Sequence, residues 1–203
     1  MKIFCVGRNY ADHAGEMKAD VPTEPVIFLK PDTALLRRGD DFYYPDFSTD
    51  IHYEAEIVYR IGKEGKYIKP SFALQHIDAI GLGIDFTARD LQQQFKAKSL
   101  PWELSKAFDR SAGISEMLPV SQYPNLKDIH FELFKNGQKA QAGWSGNMIF
   151  DIETLIVFIS RYITFKTGDL IYTGTPAGVG PVKVGDHLTG TLNGRSILDV
   201  KIK

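Results

Sequence analysis

The sequence predicts a β-rich α+β fold, and three features predict it. Short runs of β-branched and aromatic residues recur along the whole chain, each closed by a glycine, proline or asparagine turn signal. Asn136-Gly137, between the apolar runs 131–134 and 139–142, is a strong two-residue hairpin signal. Helical periodicity is confined to a few short stretches, chief among them residues 152–162.

At 203 residues the chain has the length of one large domain, and 43% hydrophobic content suffices for a full core. A net charge of −1 gives no reason to expect a nucleic-acid or anionic-membrane partner. Cys5 is the single cysteine, which excludes an internal disulfide and fits a reducing compartment. No apolar run is long enough to span a bilayer, and the first seven residues turn polar too soon for a signal peptide. The expected location is the cytoplasm.

Residues 3–6 read as a strand that breaks at the turn-forming Gly7-Arg8-Asn9. A short helical turn is expected next, placing His13 and Glu16, three apart, on one face. A carboxylate beside an imidazole fixes its tautomer and raises its basicity, as a general base requires; a plain surface pair looks the same. Residues 26–29 read as a buried strand stopped by Lys30-Pro31-Asp32, and 37–46 as a charged, turn-rich loop or hairpin.

The run 51–61 reads as one strand, with His52, Glu54, Glu56 and Val58 on one face. Two carboxylates so placed repel each other unless a cation lies between them. Oxygen ligands suit Mg²⁺, Mn²⁺ or Ca²⁺ better than Zn²⁺. A solvated edge strand presents the same pattern. Helical character is expected at 74–76, then a strand over 77–86 that delivers Asp85 to its end. Thr87 is placed to cap a helix running through 91–96, with Asp90 three residues on. Asp85 at that junction serves either chemistry or capping. Lys106 is either a snorkelling surface lysine or a cation aimed at a developing oxyanion.

Asp151 is placed to cap the helix 152–162, whose Leu155, Ile156 and Ile159 face a core. A strand over 170–172 leads into the glycine-rich loop 173–180. This loop lacks the Gly-Lys-Ser/Thr ending of a phosphate-binding loop and does not follow the first strand of a βαβ unit, which excludes nucleotide phosphate. Its N–H groups and the Thr173 and Thr175 hydroxyls suit a small carboxylate, or the loop is a structural turn. Two strands, about 186–192 and 196–202, close the chain around Gly194.

Taken together, the motifs resemble the fumarylacetoacetate hydrolase family, and within it the short acylpyruvate hydrolase group. The resemblance is carried by Gly7-Arg8-Asn9-Tyr10-Ala11-Asp12-His13 with Glu16, Phe28-Leu29-Lys30-Pro31, Tyr53-Glu54-Ala55-Glu56, Asp85, Ala88-Arg89-Asp90-Leu91-Gln92, Trp102 with Lys106, Asn136-Gly137, Met148-Ile149-Phe150-Asp151-Ile152, and Gly168-Asp169 leading to the loop 173–180. It implies a mixed β-sandwich roll with a few short helices, spanning residues 1–203 as one catalytic domain. Residues 1–50 would form an N-terminal part with a lid-like segment. It implies that Glu54, Glu56 and Asp85 hold Mg²⁺ or Mn²⁺, with Ca²⁺ also possible. His13 and Glu16 would be the base pair, Lys106 the catalytic cation, and Arg89, Gln92 and Thr175 substrate contacts. A homodimer is also implied.

The sequence departs from the family pattern at Ile84, where asparagine is usual, and over 109–118. His52 is set aside as a ligand, because three carboxylates already suit a hard cation. The implied reaction is hydrolysis of a carbon–carbon bond in an acylpyruvate-type 2-oxo acid, giving pyruvate and a carboxylic acid through an enolate stabilised by the ion and Lys106. The alternatives are an oxaloacetate decarboxylase or tautomerase, a 2-hydroxyhepta-2,4-diene-1,7-dioate-type isomerase, or a metal-binding protein without turnover. Hydrolysis ranks first because His13 and Glu16 offer a base for water.

Overall fold

The computed structural model describes residues 1–11 and 21–203. His13, Glu16 and the lid-like segment around them lie outside the described residues. In chain order the strands are β1 (Ile3–Gly7), β2 (Val26–Lys30), β3 (Leu35–Leu36), β4 (Ile51–Tyr53), β5 (Ala55–Ile61), β6 (Ile77–Asp85), β7 (Thr87–Ala88) and β8 (Ala112–Ile114). Then come β9 (Leu118–Pro119), β10 (His130–Lys135), β11 (Gln138–Trp144), β12 (Leu170–Tyr172), β13 (Gly180–Pro181), β14 (His187–Leu192) and β15 (Arg195–Lys201). The described helices are short: α1 (Arg89–Ala97), α2 (Glu103–Lys106) and α3 (Ile152–Tyr162). Among the described residues no helix is long and apolar enough to cross a membrane.

The strands form a mixed roll. An eight-stranded sheet runs β2-β1-β12-β5-β6-β8-β3, with β9 also on β6. A four-stranded sheet, β11-β10-β14-β15, packs its inner face against β6. Phe131, Leu133, Leu188, Leu192 and Leu198 fill the space between these two sheets with Ile80, Leu82 and Ile84. At the middle of the large sheet, β1 pairs in parallel with β12, Ile3, Phe4 and Cys5 against Leu170, Ile171 and Tyr172. All six side chains are buried, as expected of a parallel pair covered on both faces.

The hairpin signal is realised: Lys135 pairs with Gln138, and Asn136 and Gly137 turn with φ of 53° and 79°. Asp151 caps α3 by accepting from the Thr154 N–H at 2.9 Å. The helical character expected at 74–76 is the end of a 3-10 segment, Pro70–His76, packed on α3.

Two expectations are corrected. The run 51–61 is not one strand. β4 belongs to a three-stranded sheet with β7 and β13, β5 belongs to the large sheet, and Glu54 is the residue between them. The neighbouring strand does the same: β6 ends at Asp85, and β7 resumes in the small sheet after Phe86. Two adjacent strands thus change sheets side by side, at a corner pinned by the Asp85 N–H donating to Glu54 O at 2.8 Å. The second correction concerns Thr87. It lies in β7 instead of capping a helix; Ala88 occupies the N-cap position of α1 and makes no side-chain cap. The Thr87 hydroxyl has a stronger claim elsewhere, among the acids of that corner.

Candidate metal centre and active site

The corner brings Glu54, Glu56 and Asp85 together, with one carboxylate oxygen of each within 4.8 Å of the others and all three side chains buried. Glu54 comes from the break between β4 and β5, Glu56 from the second position of β5, and Asp85 from the last of β6. Glu56 lies opposite Gly83 in the β5–β6 ladder, and Ala55 opposite Ile84. Alternation therefore sends Asp85 into the site and Ile84 into the apolar core. The departure at Ile84 lies on the opposite face of β6 from the acids.

Three buried cations answer the three acids. Lys106 Nζ donates to Glu54 Oε2 at 2.8 Å, Asp85 Oδ2 at 2.6 Å and Thr87 Oγ1 at 2.7 Å. Arg89 donates to Glu54 Oε1 at 2.6 Å and to Gln92 Oε1 at 2.7 Å. Lys30 Nζ stands 2.6 Å from Asp85 Oδ1, while its hydrogen bonds go to Ser111 O and Oγ at 2.9 and 3.0 Å. Lys106 is therefore the cation aimed inward, and the snorkelling alternative is overturned: α2 ends at this residue, and Asp85 and Glu54 lie within its reach. Lys30 was missed. Its signal was an ammonium at the end of an apolar strand, at a depth no charged residue reaches without a partner. The atypical segment after Lys106 is tied in by Ser111, whose hydroxyl donates to Lys106 O at 2.7 Å.

Glu56 differs from its neighbours. Burial, then the Asp85 and Glu54 charges, push its carboxyl well above the ordinary range; Lys106 and the Gly174 N–H pull only partly the other way. Burial works to lower the Lys106 pKa, but Asp85 and Glu54 more than offset it, so the group is held above its usual value. Lys106 is a fixed ammonium and a proton donor in hydrogen bonds, not a base.

The loop 173–180 does bind a carboxylate, but one of the protein's own: the Gly174 N–H donates to Glu56 Oε2 at 2.7 Å. The Thr173 hydroxyl is used by Ile57 O at 2.8 Å. The Thr175 hydroxyl accepts from Gln141 at 2.9 Å and lines the cavity with Arg89 and Gln92. Gln141, a further residue missed from the sequence, also accepts from the Ala55 N–H at 2.9 Å, joining β5 to the loop. His52 turns away to Asp50, with Nε2 3.0 Å from Oδ1. Partial burial, then Arg89, lower its pKa, against the opposite pull of Asp50 and Glu54.

The donor set fits a hard divalent cation. It consists of carboxylate oxygens alone, and the buried Asp85 Oδ1, 2.6 Å from Lys30 Nζ, receives no well-directed hydrogen bond. An ion at that point would offset the burial and the Asp85 and Glu54 charges that raise the Glu56 carboxyl.

Comparison with known proteins places the chain as a whole. The family model described as fumarylacetoacetate (FAA) hydrolase C-terminal matches residues 2–203. Oxaloacetate tautomerase FAHD1, mitochondrial, from Mus musculus is 40% identical over 201 residues, 99% of this chain and 91% of that protein. Oxaloacetate decarboxylase, mitochondrial, from Dictyostelium discoideum is 42% identical over 194 residues, 95% of this chain and 89% of that protein. The crystal structure of fumarylpyruvate hydrolase from Pseudomonas aeruginosa, in complex with Mn²⁺ and pyruvate, superposes with a TM-score of 0.93 at 37% identity, covering 100% of this chain and 89% of that one.

Proposed function

The chain belongs to the fumarylacetoacetate hydrolase family, and on that premise we propose that it is a divalent-metal-dependent enzyme interconverting the keto and enol forms of oxaloacetate or decarboxylating it. The observation that carries this proposal is the buried cluster of Glu54, Glu56 and Asp85, matched by Lys30, Arg89 and Lys106. With all three acids ionised around a divalent cation, the three buried cations leave the pocket net positive and receptive to an anion. Glu54, Glu56 and Asp85 would hold Mg²⁺ or Mn²⁺, which supplies Lewis-acid polarisation of a 2-oxo group and its carboxylate.

The chain's own residues do the rest. Lys106 offers a permanent ammonium to negative charge developing on the keto oxygen. Arg89, Gln92 and Thr175 line the same cavity and hold the carboxylate end. His13, oriented by Glu16, takes the proton from the carbon next to the keto group, and the keto oxygen gains one; the reverse regenerates the ketone. In decarboxylation the bond to the distal carboxylate breaks, carbon dioxide leaves, the bonding electrons remain as the enolate of pyruvate, and that enolate is protonated on carbon.

Acylpyruvate hydrolysis, first on the sequence, ranks second here, because the relatives above are named for oxaloacetate chemistry. It keeps a footing in the fumarylpyruvate hydrolase likeness. In it His13 activates water, which attacks the distal carbonyl; the carbon–carbon bond breaks to a carboxylic acid and pyruvate. The test is a panel run with and without Mn²⁺: oxaloacetate enol decay, carbon dioxide release and acetylpyruvate cleavage. Metal-dependent action on oxaloacetate exceeding that on acetylpyruvate is expected; the opposite order would restore hydrolysis, and no metal-dependent turnover would reject both.

A homodimer is proposed as well. Met1, Leu29, Pro31, Phe47, Leu104 and Phe108 line an apolar groove of about 910 Å³ behind α1 and α2. An apolar face of that kind marks an interaction surface.

A further inference from the structure

Two cations at the mouth of the active-site cavity are not engaged by its acids. Arg8 and Lys96 line the same cavity as Glu54, Glu56 and Asp85. Arg89 and Lys106 are bound to those carboxylates, whereas among the described residues neither Arg8 nor Lys96 makes an ion pair.

Their placement is specific. Arg8 has a φ of 59°, a left-handed backbone that disfavours side chains other than those of glycine, asparagine and aspartate. The turn is held there by Asn9, whose Nδ2 donates to Phe150 O at 2.9 Å and Thr173 O at 2.8 Å, while its Oδ1 accepts from the Phe150 N–H at 2.8 Å. A glycine would relax this turn, yet a long cation stands in it, and strain retained at a cavity mouth points to a use for the side chain. Lys96 is on the face of α1 shared with Arg89 and Gln92, at the spacing of i, i+3 and i+7. Its Nζ rests 5.8 Å from the ring centre of Trp102, which also lines the cavity. Partial burial of the ammonium, then Arg89, Arg8 and Lys106, lower its pKa. Positive charge is thus crowded at the mouth.

We propose that Arg8 and Lys96 form a second anion subsite, which receives the distal carboxylate of a 2-oxo dicarboxylic acid whose 2-oxo end lies at the acidic centre. The subsite rests on the proposed 2-oxo acid chemistry. It makes the enzyme discriminate dicarboxylates from monocarboxylates of equal length, by charge-assisted hydrogen bonds available to one and not the other.

The test uses the Mn²⁺-loaded protein and a matched pair of ligands, 2-oxoglutarate and 2-oxopentanoate, read by calorimetry and by competition against oxaloacetate. The wild type is expected to bind the dicarboxylate at least ~10-fold more tightly, the worth of one charged hydrogen bond. That ratio should shrink with added salt. In Arg8→Gly and in Lys96→Met it should approach one. Arg8→Gly should also keep or raise the thermal midpoint, since glycine relieves the left-handed turn. A wild type without preference, variants that keep the full preference, or variants that lose both ligands in parallel would each overturn the subsite. A wild type that binds neither ligand would instead reject the 2-oxo acid function beneath it.

Discussion

At the scale of single residues, the site is a balance in which Glu56 is the unstable member. Its carboxyl is buried beside two other acids, and its pKa is raised, by burial first. In the metal-free protein the unfolded chain therefore loses this proton before the folded one does. Stability should fall as pH rises past the ordinary carboxylate range, by at most ~1.4 kcal/mol for each pH step of one, and level off once the folded group ionises. Glu56→Gln should flatten that pH profile and raise the metal-free thermal midpoint at neutral pH, because its amide oxygen can still accept from Gly174. The same change should abolish the rise in midpoint on adding Mn²⁺. A metal-free midpoint lower than wild type would contradict the account. His13→Ala is expected to slow turnover of oxaloacetate by ~10²–10⁴-fold with Mn²⁺ affinity unchanged, as removal of a positioned base does; full turnover would remove His13 from the mechanism. The acids Glu54 and Glu56 were legible from their i, i+2 spacing, although the strand expected to carry both breaks at Glu54. Lys30 and Gln141 were not, because nothing local tells an ammonium or amide at the end of an apolar run which distant carboxylate or loop it will meet.

At the scale of elements, the corner where β4–β5 and β6–β7 change sheets creates the site. The sequence shows strands at both places, but the break at Glu54 carries no turn residue and cannot be seen without the partner strands. The misplaced Thr87 cap has the same origin. Threonine followed by Asp90 is a fair capping pattern, and it lost to tertiary demand for the hydroxyl at Glu54 and Lys106. The loop 173–180 is the third wall. Gly174 has φ +95°, and a Cβ there would come within 2.8 Å of Asn9 Cβ and 3.0 Å of Val6 O. Gly174→Ala should therefore cost more than about 1 kcal/mol of stability. By moving the N–H off Glu56 it should also weaken Mn²⁺ binding, measurable by calorimetry. Wild-type stability and affinity together would show that the loop does not support the site.

At the scale of the molecule, β content and most element positions followed from periodicity and turn chemistry, but the roll did not. Local pattern does not say that β10–β11 and β14–β15 close against β6; only the resemblance supplied that. Association is the molecular property most open to test. The groove behind α1 and α2 exposes Leu104 at 71% and Phe47 at 49%. Light scattering at micromolar concentration should give about twice 22.8 kDa, and Leu104→Asp should shift the protein to the single-chain mass. A single-chain mass for the wild type would leave the groove without its proposed occupant. One divalent ion is proposed to sit among Glu54, Glu56 and Asp85. Anomalous diffraction at the manganese edge, from crystals grown with Mn²⁺, tests it most directly. One strong peak is expected at bonding distance from all three carboxylates, with Lys106 beside it. A peak elsewhere, or none with the three acids ordered as described, would contradict it.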